Sequence, residues 1–130
     1  VPPARFKELA LDAVDHQALA DWWCRALGYE RRQSAREDGT WPPRWPVHIH
    51  DPLGEGPSLW LNPVAEPTPG KNRMHFDVRG DTEELLAMGA TLLRRGAGPG
   101  DGWDILCDPE GNEFCVFPPE RRASVRPTVR

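Results

Sequence analysis

Two stretches of the sequence repeat one pattern. The first runs from Trp45-Pro46 through Val47-His48-Ile49-His50 into Asp51-Pro52-Leu53-Gly54, and then Ser58-Leu59-Trp60-Leu61-Asn62-Pro63. The second runs from Trp103 through Asp104-Ile105-Leu106-Cys107 into Asp108-Pro109-Glu110-Gly111, and then Glu113-Phe114-Cys115-Val116-Phe117-Pro118. Each reads as a strand with a Trp near its start, a tight turn and a second strand ending at Pro. The turn chemistry is the same in both: Asp at the first position, Pro fixing φ at the second, Gly at the fourth. A hairpin repeated at this scale constrains the chain to a duplicated fold unit, and a duplicated unit leaves a cleft between its copies.

The surroundings of the two hairpins agree. Residues 8–14 alternate, with Leu9, Leu11 and Ala13 on one face and Glu8, Ala10 and Asp12 on the other, which predicts a half-buried strand. Asp15 stands where a helix N-cap would. Ala18, Leu19, Trp22, Trp23, Ala26 and Leu27 follow at helical spacing, and Gly28 ends the helix. The Trp22–Trp23 pair is read as the face that packs on a sheet. Tyr29 to Arg36 reads as a polar edge strand ahead of the first hairpin. In the second half, Met74 to Arg79 reads as a strand with His75 and Asp77 on one face and Phe76 and Val78 on the other. A capping box at Asp81–Glu84 opens a helix that stops at Gly89, and Ala90 to Leu93 is a strand. The predicted fold class is therefore α+β, two tandem βαβββ modules. Module one covers about 5–63, a Pro-rich linker 64–71, module two about 72–118, and residues 119–130 form a tail expected to be loosely ordered.

A chain of 130 residues is long enough for one compact domain or two small packed modules. A formal charge of -4 gives no electrostatic case for nucleic acid. No apolar run approaches a membrane span, and no signal-peptide pattern opens the chain. The odd cysteine count, Cys24, Cys107 and Cys115, has no CxxC pair. It fits a reducing compartment, so the expectation is a cytoplasmic protein with neither nucleic-acid nor membrane partners.

Four motifs, in this order, resemble the vicinal oxygen chelate superfamily, which includes glyoxalase I, extradiol dioxygenases and bleomycin-resistance proteins. They are Ala26-Leu27-Gly28-Tyr29, Lys71-Asn72-Arg73-Met74-His75-Phe76-Asp77, Gly89-Ala90-Thr91 and Asp108-Pro109-Glu110-Gly111-Asn112. The chain is most similar to small bacterial glyoxalase-like domain proteins. The resemblance implies two modules whose curved sheets enclose a pocket. In metal-dependent members each module gives one ligand (His, Glu or Gln) from its first strand and one from its last. Carried over to this sequence, the last-strand positions are Cys115 and Trp60. The first-strand positions are His75 and either Glu8 or Ala10, depending on a gap of one or two residues.

A site for Mg, Mn, Fe or Ni favours several N and O ligands. Here Trp60 is no ligand, and a lone thiol at Cys115 would shift preference toward Zn. The sequence therefore favours no metal cofactor, and a divalent metal, were one bound, would fall to Glu8 and His75. Without a metal, His75 is read as bonded to a neighbour such as Asp77 or Glu8. His48 and His50 share a strand face and offer a rival chelating pair, or else line a pocket or face solvent. Cys115 is either an inert buried thiol or a nucleophile with His75 as its base.

The predicted ligand pocket is lined by Glu8, Asp12, Trp60, Asn62, His75, Asp77 and Cys115, with Trp41, Trp45 and Trp103 at its rim. Indoles beside acidic groups suit a flat or cationic small molecule. The leading expectation is a glyoxalase-like protein that binds a small molecule, sequestering or detoxifying a toxic compound or antibiotic; the bleomycin-resistance resemblance implies a homodimer. The alternatives are a metal-dependent lyase, isomerase or dioxygenase of the same superfamily, and a non-catalytic regulatory or interaction domain. The catalytic residues of such an enzyme are not specified by the sequence.

Overall fold

A computed structural model of the protein describes residues 2–3, 5–32, 38, 42–97 and 102–119. The chain divides into two compact units, Val1–Pro69 and Gly70–Arg130. In the first unit β1 (Leu9–Ala13) leads into α1 (His16–Leu27), then β2 (Glu30–Arg31), β3 (Val47–His50) and β4 (Leu59–Pro63). In the second, β5 (Phe76–Arg79) leads into α2 (Thr82–Ala87), then β6 (Thr91–Arg94), β7 (Asp104–Cys107) and β8 (Glu113–Phe117). Each unit is thus βαβββ, as the repeat predicts. The sheets have the same strand order, β1-β4-β3-β2 and β5-β8-β7-β6. In both, the first strand runs parallel to the last and the remaining neighbours are antiparallel.

The helix signals act as their chemistry dictates. The Asp15 carboxylate accepts from the Ala18 N–H at 3.1 Å, satisfying one of the donors that a helix start leaves free. Gly28 sits at φ 73°, the left-handed conformation that closes the helix, and the Tyr29 N–H is donated to the Cys24 carbonyl. Tyr29 then donates its hydroxyl to the Pro57 carbonyl at 2.8 Å. That bond gives Ala-Leu-Gly-Tyr its purpose, since it ties the helix exit to the loop between β3 and β4. In the second unit Asp81 accepts from the Glu84 N–H at 3.1 Å, the first half of a capping box.

Alternation decides what is buried. In the first unit Val47, Ile49, Leu59 and Leu61 point to the α1 side and are buried with Leu19, Ala20, Trp22 and Trp23. The two indoles meet edge to face at 4.9 Å. Burying side chains of this size is worth about 2 kcal/mol each or more. The second unit has a thinner core: α2 buries only Leu85, the sheet buries Leu106, Phe114 and Val116 on one face, and every residue of β6 is exposed.

Some boundaries differ from expectation. The strand expected over Tyr29 to Arg36 is assigned only at Glu30–Arg31, although the Arg32 N–H still bonds the His48 carbonyl; residues 33–37 lie outside the described residues. β5 begins at Phe76 rather than Met74, which is exposed at the rim of an edge strand. The tail expected over 119–130 is described only at Pro119.

Both Asp-Pro-x-Gly turns close by the same bonds. The Gly54 N–H is donated to the Asp51 carbonyl at 2.9 Å, and the Gly111 N–H to the Asp108 carbonyl at 2.8 Å. Each Gly has positive φ, 71° and 87°, where a side chain would be strained. The Asp side chains then gather the loop. Asp51 accepts from the Leu53, Glu55 and Gly56 backbone, while Asp108, 2% exposed, accepts from the Glu110 and Asn112 N–H groups and the Asn112 amide. Asn72 donates to the Asn112 side-chain oxygen at 2.7 Å, which ties the start of the second unit to this turn. Replacing Asp108 by Ala leaves several part-buried donors unmet and should cost about 2 kcal/mol in a urea melt. Asp108→Asn should cost visibly less; equal losses would show that the carboxylate's acceptor role is not what matters.

Candidate functional site

The parallel pairs decide which residues meet. Ala10 lies opposite Trp60 and Asp12 opposite Asn62 across β1 and β4, while His48 lies opposite Trp60 across β3 and β4. Side chains on one pleat face alternate by two, so Glu8, Ala10, Asp12, His48, Trp60 and Asn62 all stand on the face turned away from α1. In the second unit Asp77 lies opposite Cys115, and Cys115 opposite Ile105. His75, Asp77 and Cys115 therefore occupy the corresponding face. Because Trp60 and Cys115 are matched by the repeat, Ala10 is the counterpart of Asp77 and Glu8 that of His75.

On the first unit's face three groups lock together. The Trp60 indole donates Nε1–H to Glu8 Oε1 at 2.8 Å. His48 lies flat on Trp60, with ring centroids 4.2 Å apart and planes 5° apart. His48 Nε2 comes within 2.6 Å of Glu8 Oε2, at ion-pair distance, yet it has no partner aligned for a hydrogen bond among the described residues. Lys7 Nζ is 3.6 Å from Glu8 Oε1. The charges follow. The Trp60 N–H holds the Glu8 carboxyl below its ordinary range; burial opposes this, and His48 and Lys7 add to it. Burial pushes the His48 imidazole down, against the pull of the Glu8 charge.

The second unit's face is built from different donors. His75 Nδ1 is 3.4 Å from Asp77 Oδ1 and 4.0 Å from Cys115 Sγ. Burial first, then the Asp77 charge, push the Cys115 thiol up. A protonated thiol at this distance from an imidazole is a poor nucleophile. Lys71 Nζ, ahead of β5, lies 3.5 Å from Glu113 Oε1 on β8.

The sequence-predicted residues thus fall into two groups: Glu8, Asp12, Trp60 and Asn62 share one face of the first sheet, and His75, Asp77 and Cys115 share one face of the second. The sequence alone reads His48 as a chelating, pocket-lining or solvated histidine. The parity argument that selected Trp60 also selects His48, once β3 is paired with β4. The rim residues have local roles. The Trp45 carbonyl accepts from buried His16 at 2.9 Å, Trp103 stacks on Phe117 at 5.3 Å, and Trp41 lies outside the described residues. A cavity of about 390 Å³ opens at one end of the second sheet, lined by Thr82, Arg95, Trp103, Asp104 and Phe117 among others; of the residues the sequence assigns to the pocket it takes only the rim residue Trp103. No helix among the described residues is long and apolar enough to cross a membrane.

The chemistry of the matched positions is unequal. An indole has a donor and no ligand lone pair, so Trp60 cannot bind a metal through its ring nitrogen. Imidazole, carboxylate and thiol at the second unit all can.

The duplicated order agrees with comparison to known proteins. The chain belongs to the glyoxalase-like domain family, whose model matches residues 8–117. It is similar in structure to a glyoxalase/bleomycin resistance protein/dioxygenase family enzyme from Burkholderia phytofirmans, with TM-score 0.62 at 18% identity over 87% of this chain and 97% of that one. It is also similar to a fosfomycin resistance protein, FosX, from Listeria monocytogenes, solved with Mn(II) and 1S,2S-dihydroxypropylphosphonic acid: TM-score 0.65, 10% identity, 95% and 98% coverage. A glyoxalase-related enzyme from Fulvimarina pelagi gives TM-score 0.60 at 18% identity, with 86% of each chain covered. At such identities the likeness is one of fold. No curated protein matches the sequence.

The Glu8–His48–Trp60 cluster makes stability depend on pH. Both ionisable groups have folded values below their ordinary ones, 6.5 for His48 and 4.5 for Glu8. The unfolded chain therefore takes up protons first as pH falls, and each contribution, present at neutral pH, is lost on acidification. His48 should act from just below pH 6.5 downward, and Glu8 from just below 4.5. Urea melts across pH should show His48→Gln flattening the upper decline and Trp60→Phe shrinking the lower one. Unchanged pH profiles in both variants would remove the cluster as their source.

Proposed function

We propose that the protein binds a small organic molecule, sequestering or detoxifying a toxic compound or antibiotic, and does so without the family's full metal-ligand set. The observation that carries this reading is the His48–Trp60 stack tethered to Glu8. It sets a flat aromatic platform beside a carboxylate, and Trp60 and Glu8 are at positions where the resemblance implies ligands in metal-dependent members. Such a surface favours flat or cationic compounds, through stacking and through attraction between a cation and the indole face. The solved structures similar in fold include fosfomycin resistance proteins, from Mesorhizobium loti as well as Listeria. That likeness supports a resistance or detoxification role as one the scaffold accommodates.

A second reading draws on the same cluster. Because Trp60 is already engaged by its own neighbours, the face also suits a non-catalytic interaction domain whose site is filled by its own side chains. Ligand binding separates the two. A thermal-shift screen of flat aromatic and amine-bearing antibiotics, run with and without EDTA, should find at least one compound that raises Tm in both conditions. At a hundredfold excess over Kd the gain is about 2.7 kcal/mol. Trp60→Ala should abolish the shift while the variant still unfolds cooperatively. If no compound shifts Tm, or if Trp60→Ala leaves the shift intact, this reading fails and the interaction domain gains.

A further inference from the structure

We propose that the cavity at the end of the second sheet is a separate ligand site, which takes a small organic cation: an amidine, guanidine or amine carried on a flat apolar body. The site lies wholly within the second unit and shares no residue with the Glu8–His48–Trp60 cluster. It is also distinct from the sheet face that carries His75 and Cys115. Asp104 lies opposite Val116, on the face that buries Leu106 and Phe114, whereas Phe117 stands on the other face. The cavity takes both Asp104 and Phe117, so it wraps around the end of the sheet rather than lying on one side of it.

The walls are formed before any ligand arrives. The volume of about 390 Å³ falls within the range of small-molecule clefts. Trp103 stacks on Phe117 with planes 25° apart, yet it stays 41% exposed, so part of the indole remains open. The loop leading into Trp103 is held by close approach. A Cβ at Gly96 would stand 2.9 Å from the Trp103 nitrogen, and one at Gly102 would stand 2.9 Å from the Ala97 nitrogen. Asp104 pins the same loop to α2: one carboxylate oxygen accepts the Gly96 N–H at 2.8 Å and the other the Thr82 hydroxyl at 2.6 Å. A ligand that enters walls already ordered is spared the cost of ordering them.

Charge then selects the occupant. Among the described lining residues, three carboxylates (Asp81, Glu83 and Asp104) accompany one guanidinium, that of Arg95. The Thr82 hydroxyl and then the Gly96 N–H hold the Asp104 carboxyl below its ordinary range; burial opposes them and Arg95 assists. Arg95 Nη1 lies 2.8 Å from Glu83 and 3.8 Å from Asp104. A planar cation therefore already fits beside these two carboxylates. The Arg95 side chain is 54% exposed, free to turn to solvent when a ligand cation takes its place. The open indole adds an attraction that a neutral or anionic ligand would not feel. Arg79, beyond the rim, donates its guanidinium to the Pro118 carbonyl at 3.3 Å and does not line the cavity.

Three probes of one shape and different charge provide the test: benzamidine, benzamide and benzoate. Each is titrated at low salt into the isotope-labelled full chain and followed by two-dimensional NMR. Benzamidine should move the Gly96 and Gly102 amide signals and the Trp103 indole N–H. It should bind about tenfold or more tighter than benzamide, with benzoate weakest. Glu83→Gln, at an exposed position that does not cap α2, should weaken benzamidine about threefold. Arg95→Ala should strengthen it by a similar factor, because the competing guanidinium is gone. Trp103→Leu should weaken it as well; if that variant does not fold, the two surface variants decide. Trp60→Ala should leave benzamidine affinity unchanged whatever it does to a ligand of the first unit, so the two sites stand or fall separately. No response to benzamidine, equal affinity for benzamide, an unchanged Glu83→Gln variant, weaker binding in Arg95→Ala, or signals that move on β1 and β4 instead would overturn the proposal.

Discussion

The parallel pairing of first and last strands is the constraint on which everything else depends. β1 lies against β4 and β5 against β8, each in a register without a bulge. A one-residue slip of either pair would move every side chain to the opposite face. Leu9 and Leu11 would then leave the core side of the first sheet, and Glu8 would turn toward the helix that buries Trp22 and Trp23. The register is therefore enforced by burial on one face, and the polar groups on the other face inherit their positions from it. Neither cluster needs a long loop or a strained backbone to hold it.

The two copies have kept that framework and exchanged the chemistry upon it. At the matched last-strand position the first unit carries an indole and the second a thiol; two residues before the Ala10–Asp77 match, it carries a carboxylate and the second an imidazole. In the first unit these choices produce a stack closed by a hydrogen bond, with Glu8 serving Trp60 and His48. In the second they bring an imidazole, a carboxylate and a thiol within 4.8 Å of one another.

Most of the fold was legible because its signals are local. The Asp51 and Asp108 turns, the Asp15 and Asp81 caps and the stop at Gly28 depend on bonds spanning five residues or fewer. The alternation of β1, β3, β4 and β5 likewise reads directly from the chain. The family resemblance and the strand parity together selected Glu8, Trp60, His75 and Cys115. What escaped the sequence was lateral. Parity shows which side of a sheet His48 occupies but not that its ring lies parallel to Trp60, because that depends on which strands are neighbours. The sequence assigns Asp77 to the pocket, yet that it stands directly beside Cys115 appears only when β8 is laid beside β5. The ambiguity between Glu8 and Ala10 had the same origin, and cross-strand register, not sequence spacing, resolves it.

The paired residues of each cluster are far apart along the chain, 52 residues for Glu8 and Trp60 and 40 for His75 and Cys115. Between them lie the helix and the hairpin, whose contacts are short-range and cheap to form. Joining first strand to last closes the longest loop in each unit, so it belongs to the late, slow part of folding. β1 and β5 are also edge strands, held by a neighbour on one side only. Anything bound across such a seam acts as a clasp on the last loop to close. Contacts that form after the folding barrier is crossed slow unfolding without hastening folding, so occupancy of either face would be felt chiefly as a longer lifetime of the folded unit.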